Sequence, residues 1–259
     1  MELKEAIKTL DKILNNVISR TIPVGQKIGL YYSGGVDSSL VSTYYNFEKI
    51  TYNENDPKLQ EQYKKEFNEK FPDIIKVIGR PIKSFSPFAW WKLGETAKRL
   101  GCTTVFSGES ADELFGGYVR WLPEQINMQA QKMFPSYKSM FPASRDVNEV
   151  GKEAFYGDLQ FLMEAERKIA KHHGLNIVFP FDDQEVIDFA WSLPPEFKIN
   201  GFETKVILRR LLEQRDPNYK HIEKHGLFCS VNFWLGVPEE GYNKTTYLKL
   251  QNKILYGKR

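Results

Sequence analysis

The 259-residue chain is poor in the features that tie a protein to a membrane, a disulfide framework or a nucleic acid. No apolar run approaches the eighteen or so residues of a membrane span, and the first residues hold no charged-then-apolar leader. Its two cysteines, Cys102 and Cys229, lie far apart without metal-ligand spacing, which favours reduced core thiols over a disulfide. A formal net charge of +3 is too mild to argue for nucleic acid. Internal repeats and low-complexity tracts are absent. His221 and His225 flank Glu223, but a zinc helix of H-E-x-x-H type needs the glutamate directly after the first histidine. The expectation is a soluble cytoplasmic protein with one large core, or one core and a helical annex. In that compartment the Asn243-Lys244-Thr245 sequon stays unused.

What the chain does have is two short glycine-containing stretches, Tyr32-Ser33-Gly34-Gly35-Val36-Asp37-Ser38-Ser39 and Ser107-Gly108-Glu109-Ser110-Ala111-Asp112-Glu113-Leu114-Phe115-Gly116-Gly117-Tyr118. The first follows the apolar run 27–32, read as a buried strand, and precedes 40–45, read as the opening of a helix. Gly34 and Gly35 lack Cβ atoms, so successive N–H groups can converge on one anion. The helix start adds partial positive charge, and the hydroxyls of Ser33, Ser38 and Ser39 can donate to phosphate oxygens. A carboxylate in such a cradle repels phosphate unless a cation stands between them, so Asp37 implies Mg²⁺. No lysine follows the glycines, which excludes the G-x-x-x-x-G-K-[ST] loop. The second stretch leaves the strand expected at 103–106 with three acids in five residues, and strands of one parallel sheet present their carboxyl ends on one ligand-binding edge.

The first part of the chain alternates strand and helix. Residues 49–52 read as a second strand, 57–71 as a charged surface helix, 74–78 as a third strand, and 87–100 as a helix ending at Gly101. That alternation predicts an α/β fold with a parallel twisted sheet and helices on both faces. After Tyr118 the periodicity is mainly helical, with Leu159, Leu162, Met163, Ile169 and Ala170 on one face. Residues 133–152 read as a loop or lid. His172 and His173 read as cations at a helix C-terminus ahead of Gly174. Trp90, Trp91, Trp121 and Trp191 read as packing residues.

The first loop resembles the SGGxDS pyrophosphate loop of enzymes that break ATP between its α and β phosphates, the N-type ATP pyrophosphatases. The second resembles the SGEGSDELFGGY signature of the C-terminal synthetase domain of glutamine-hydrolysing asparagine synthetases. The likeness covers nearly the whole chain: Leu3, Ile7, Leu10, Leu14 and Val17 form an opening helix, 180–183 resembles PFLD, 203–209 resembles the K-x-x-L-R helix, and Lys224 precedes the closing tail. It implies a single domain over 1–259, with a nucleotide-binding core over 1–122 and a helical substrate-side part over 123–259. The family's glutaminase domain is expected to be missing, since Met1-Glu2-Leu3 offers no terminal cysteine.

The resemblance implies an amide-forming ligase that uses ATP and Mg²⁺: AMP is transferred to a carboxylate, aspartate by default, and ammonia or an amine then attacks. Gly34, Gly35, Ser33, Ser38, Ser39 and Lys205 would meet the pyrophosphate. Asp37 and Asp112 would hold Mg²⁺, Glu109 would act as base and Lys224 would face the oxyanion. Adenine would lie against the backbone near Tyr31, Ser107 and Gly108. A separate glutaminase is a possible partner, whereas a membrane and nucleic acid are not expected. The chain departs from the pattern where substrate is read: V-E-A-R-V-P-F is 175–181 here without its glutamate and arginine, Lys83 stands for an arginine, and Ser110-Ala111 replace Gly-Ser. Two alternatives are a related ligase or thiolase acting on tRNA, and a nucleotide-binding interaction protein that has lost its chemistry.

Overall fold

The computed structural model describes residues 1–53, 57–118, 121, 146–220, 229, 231–235 and 244–257. It opens on α1 (Leu3–Thr21), whose Ala6, Ile7, Leu10, Leu14, Val17 and Ile18 form a buried stripe at helical spacing. Then come β1 (Ile28–Tyr31), α2 (Val36–Ser42), β2 (Glu48–Ile50), α3 (Pro57–Ile78), α4 (Pro87–Arg99), β3 (Thr104–Phe106) and α5 (Ala111–Phe115). The second half carries α6 (Val147–Ala154), a π-helical turn (Phe155–Leu159), α7 (Gln160–His172), β4 (Asn176–Val178) and α8 (Gln184–Ser192). It continues with the antiparallel pair β5 (Ile199–Asn200) and β6 (Glu203–Thr204), then α9 (Val206–Arg215), α10 (Val231–Trp234) and α11 (Lys244–Tyr256).

Four strands make a parallel sheet in the order β2-β1-β3-β4, with Gly29 opposite both Glu48 and Val105, and Val105 opposite Ile177. The chain leaves β1 on one side to form β2 and returns on the other to form β3. The strand order therefore reverses between β1 and β3, and in open parallel sheets the crevice beyond the carboxyl ends at such a point is where ligands bind. The two glycine-containing stretches leave these two strands.

Alternate residues feed different cores, as strand periodicity requires. Ile28, Leu30 and Phe106 join the buried cluster built with α1, α2, α5, α8 and α9. Tyr31 and Val105 point the other way and pack with Ile50, Leu93, Ala97, Ala170 and Leu175 from α4, α7 and their neighbours. A third cluster lies beyond, where α3, α4 and α7 meet Trp234 and Tyr247. Both cysteines are buried and neither forms a disulfide.

The structure corrects three expectations. Residues 74–78 are not a strand but the end of α3: Phe67, Phe71, Ile74, Ile75 and Ile78 recur every three or four residues and are all buried. The helix continues through Pro72; its buried apolar face outweighs the lost backbone donor. The fourth strand is β4 instead, three residues long. Of the loop expected over 133–152, residues 147–152 belong to α6, capped by the Asp146 carboxylate accepting from the Asn148 N–H; 133–145 lie outside the described residues. Finally, His173 is not a solvent-facing cation. It is 7% exposed, packs edge-on against Trp91, and is pushed down to about 4 by burial and by neighbouring His172.

Candidate active site

The first loop is tied by its own serines. The Ser33 N–H donates to Ser38 Oγ at 3.2 Å, the two hydroxyl oxygens lie 3.1 Å apart, and the Gly35 N–H donates to Ser33 Oγ at 3.3 Å. Gly34 turns through φ +77°, a conformation that favours glycine, and its carbonyl accepts from the Tyr219 hydroxyl at 3.1 Å. Gly35 then sits at the N-cap of α2, so Asp37, Ser38 and Ser39 occupy its first turn, all buried. Helix thus begins earlier than the 40–45 run suggested.

The second loop leaves β3 with the Ser107 N–H donating to the Val178 carbonyl at 3.0 Å. A Cβ on Gly108 would stand 3.1 Å from Asp37 Cβ and 3.3 Å from Ser38 N, so the two loops touch. Ser110 follows in the left-handed region at φ +78°, only 1% exposed, its hydroxyl 3.3 Å from Met163 Sδ. Here the resemblance expected glycine, and the serine keeps the backbone turn that glycine allows.

The loops meet on a lysine. The Lys205 ammonium donates to both Asp37 carboxylate oxygens at 2.6 Å and lies 2.5 Å from Asp112 Oδ1. The three side chains are nearly buried, with 4%, 10% and 16% of their surface exposed. Lys205 stands just ahead of α9 at φ +56°. Among the described residues it and Ser110 are the two non-glycine positions with positive φ, and such strain gathers where surrounding structure fixes a functional geometry. Gly117 closes the cluster: a Cβ there would fall 1.7 Å from Asp112 Oδ1 and 2.3 Å from Lys205 Cε.

One group was missed. Glu166 of α7 is 1% exposed and lies beneath the second loop; burial first, then the nearby charge of Glu109, pushes its carboxyl well above the ordinary range, against a hydrogen bond with Ser107. Its Oε2 and the buried Tyr31 hydroxyl have no partner among the described residues, and Glu166 in turn helps burial raise that phenol. The signal was an acid inside the apolar stripe of Leu162, Met163, Ile169 and Ala170.

The structure therefore brings together Ser33, Gly34, Gly35, Asp37, Ser38, Ser39, Ser107, Gly108, Glu109, Asp112 and Lys205. The Tyr31 side chain turns into the core, leaving only its backbone toward the sheet edge. Lys224 lies outside the described residues, as do His221 and His225.

A parallel sheet with a small-residue loop and an acidic loop at its reversal point, joined by a buried lysine, defines the chain as an α/β protein. The family model described as asparagine synthase matches residues 61–225, more than half of the chain, and the chain belongs to that family. A Methanocaldococcus jannaschii protein provisionally named glutamine-hydrolysing asparagine synthetase 1 is 28% identical over 228 residues, covering 78% of this chain and 39% of its own length. The human asparagine synthetase named as glutamine-hydrolysing is 25% identical, covering 92% of this chain and 46% of its own length. That of mouse is 26% identical, with 81% and 40% covered. The chain thus spans less than half the length of these relatives.

Proposed function

We propose that the chain is an ATP-dependent, AMP-forming carbon–nitrogen ligase that adenylates a carboxylate and then passes the acyl group to ammonia or an amine. The observation that carries this reading is the Asp37–Lys205–Asp112 cluster beside the Ser33–Ser39 loop, at the edge where the strand order reverses.

In the first step a carboxylate oxygen of the substrate bonds to the α-phosphorus of ATP as the bond to the β-phosphate oxygen breaks, and pyrophosphate leaves. The Gly34-Gly35 turn and the serine hydroxyls meet its growing charge, and the Lys205 ammonium faces the same side. The two carboxylates fit Mg²⁺: both are hard oxygen donors, and both already reach one cation, the Lys205 Nζ. Asp37 and Asp112 would hold that ion, which when bound neutralises phosphate charge. In the second step the amine attacks the acyl carbon and AMP departs. Glu109, half-buried on the second loop, takes the amine proton, and Lys224 is assigned to the oxyanion by the family likeness alone.

Glu166 positions that base. Glu166 hydrogen-bonds Ser107 at the start of the loop, and burial together with the charge of Glu109 shifts its carboxyl upward, toward the neutral form. Glutamine hydrolysis needs an activated nucleophile, which the buried Cys102 and Cys229 do not supply, so ammonia or an amine is the acceptor at this site. Incubation with ATP, Mg²⁺, ammonium and a panel of carboxylic acids tests the reading through its products. AMP, pyrophosphate and amide in equal amounts support it; ADP and phosphate would contradict it.

A further inference from the structure

A cavity of about 730 Å³ opens beside the second loop. It is in the range of pockets that enclose ligands much larger than a four-carbon amino acid (~300–1,000 Å³). Glu113 and Tyr118, whose hydroxyl donates to the Glu113 carboxylate at 2.7 Å, are part of its lining. Their chain neighbours Asp112 and Gly117 are the residues that close on Lys205, so the cavity borders the proposed ATP cluster.

The lining mixes apolar side chains with charges of both signs. Trp121 packs edge-on to Tyr118 with ring centroids 4.8 Å apart, and Phe161, 46% exposed, faces the same space. The segment after α3 contributes Arg80, its guanidinium 3.9 Å above the Phe161 ring, and Lys83. The stretch from α6 into α7 contributes Glu153 and Asp158, the latter beside Gly157, where the chain kinks at φ −98°, ψ −114°. Two cations from one segment and two anions from another suit the carboxylate and ammonium of an amino-acid head group, and the apolar residues between them in the lining suit the arm that follows.

Resting on the reading that the chain adenylates a carboxylate, we infer that this cavity takes an α-amino dicarboxylic acid with an arm longer than that of aspartate. The head group meets Arg80 and Lys83 with its carboxylate and Glu153 and Asp158 with its ammonium. The arm runs past Phe161 and Trp121. The distal carboxylate, the one that reacts, reaches Glu113 and Tyr118.

Carboxylate-dependent exchange of labelled pyrophosphate into ATP, with aspartate, 2-aminoadipate and 4-carboxyphenylalanine as probes, decides the matter together with calorimetric titration of phenylalanine, which has the head group and arm but no distal carboxylate. Expected is a kcat/KM at least about ten times higher for one long-armed acid than for aspartate, equivalent to about 1.4 kcal/mol. Phenylalanine should bind without supporting exchange, and both exposed Lys83→Met and cavity-filling Leu162→Trp should weaken it. Preference for aspartate, unaffected by Lys83→Met, would overturn the inference and leave the adenylation reading standing. Exchange with none of the acids would count against adenylation itself. The calorimetry would then still judge the cavity: binding lost in Leu162→Trp upholds it, and no binding by the wild type overturns it.

Discussion

Ser110 shows how a single residue can record a constraint that its own chemistry resists. A left-handed backbone costs a residue with a Cβ about 1–2 kcal/mol, and Ser110 accepts that cost at φ +78° in return for only a weak contact with Met163. Ser110→Gly should therefore raise stability by about 1 kcal/mol in denaturant unfolding, and a lowered midpoint would show the strain is not there. Lys205 is the opposite case, since its strain is balanced by two buried carboxylates. Lys205→Met should destabilise by about 3–5 kcal/mol by leaving buried like charges side by side, with recovery when Asp37→Asn and Asp112→Asn are added. Neither behaviour was legible from spacing, because Lys205 stands 168 positions from Asp37. Glu109, Asp37 and Asp112 were legible because each sits a few residues after a short apolar run.

Helices and strands were readable where their pattern was uninterrupted. The stripe of α1 and the strand-loop-helix units around β1 and β3 follow from the sequence directly. Residues 74–78 were not, because Ile74-Ile75-Lys76-Val77-Ile78 is rich in β-branched residues and begins just after Pro72, which hides its continuity with Phe67 and Phe71. Burial on one helical face prevails over that local preference. Ile75→Ala should cost about 2–5 kcal/mol as a cavity in this face. Ile75→Val, which keeps the β-branch and removes one methylene, should cost only about 0.5–1.5 kcal/mol; higher stability than the wild type in denaturant unfolding would contradict a packed helical face. β4 escaped notice because three residues between Leu175 and Phe179 are too few for any period, and its pairing with β3 comes from the sheet.

Taken as a whole, the molecule places two buried titrating groups on opposite sides of its pH response. His173 is held near 4 against an ordinary 6.5, so between those values the unfolded chain binds a proton that the folded chain does not. Its contribution is complete above about pH 6.5 and is lost as pH falls toward 4. Glu166 is raised, so the folded chain holds its proton longer and that contribution fades as pH rises. Unfolding midpoints measured from pH 4 to 6.5 should thus fall less steeply on acidification in His173→Gln than in the wild type; identical slopes would mean that His173 is protonated in the fold.

Among the described residues no helix is long and apolar enough to cross a membrane, and the sheet, the reversal point and the two loops converge on one edge. Carboxylate-dependent exchange of pyrophosphate into ATP by the purified chain, compared with Asp37→Ala and Asp112→Ala, tests that convergence most directly. The account predicts exchange in the wild type with a suitable acid, none in either variant, and folded variants by circular dichroism. Exchange at wild-type rate in Asp37→Ala or Asp112→Ala would contradict it.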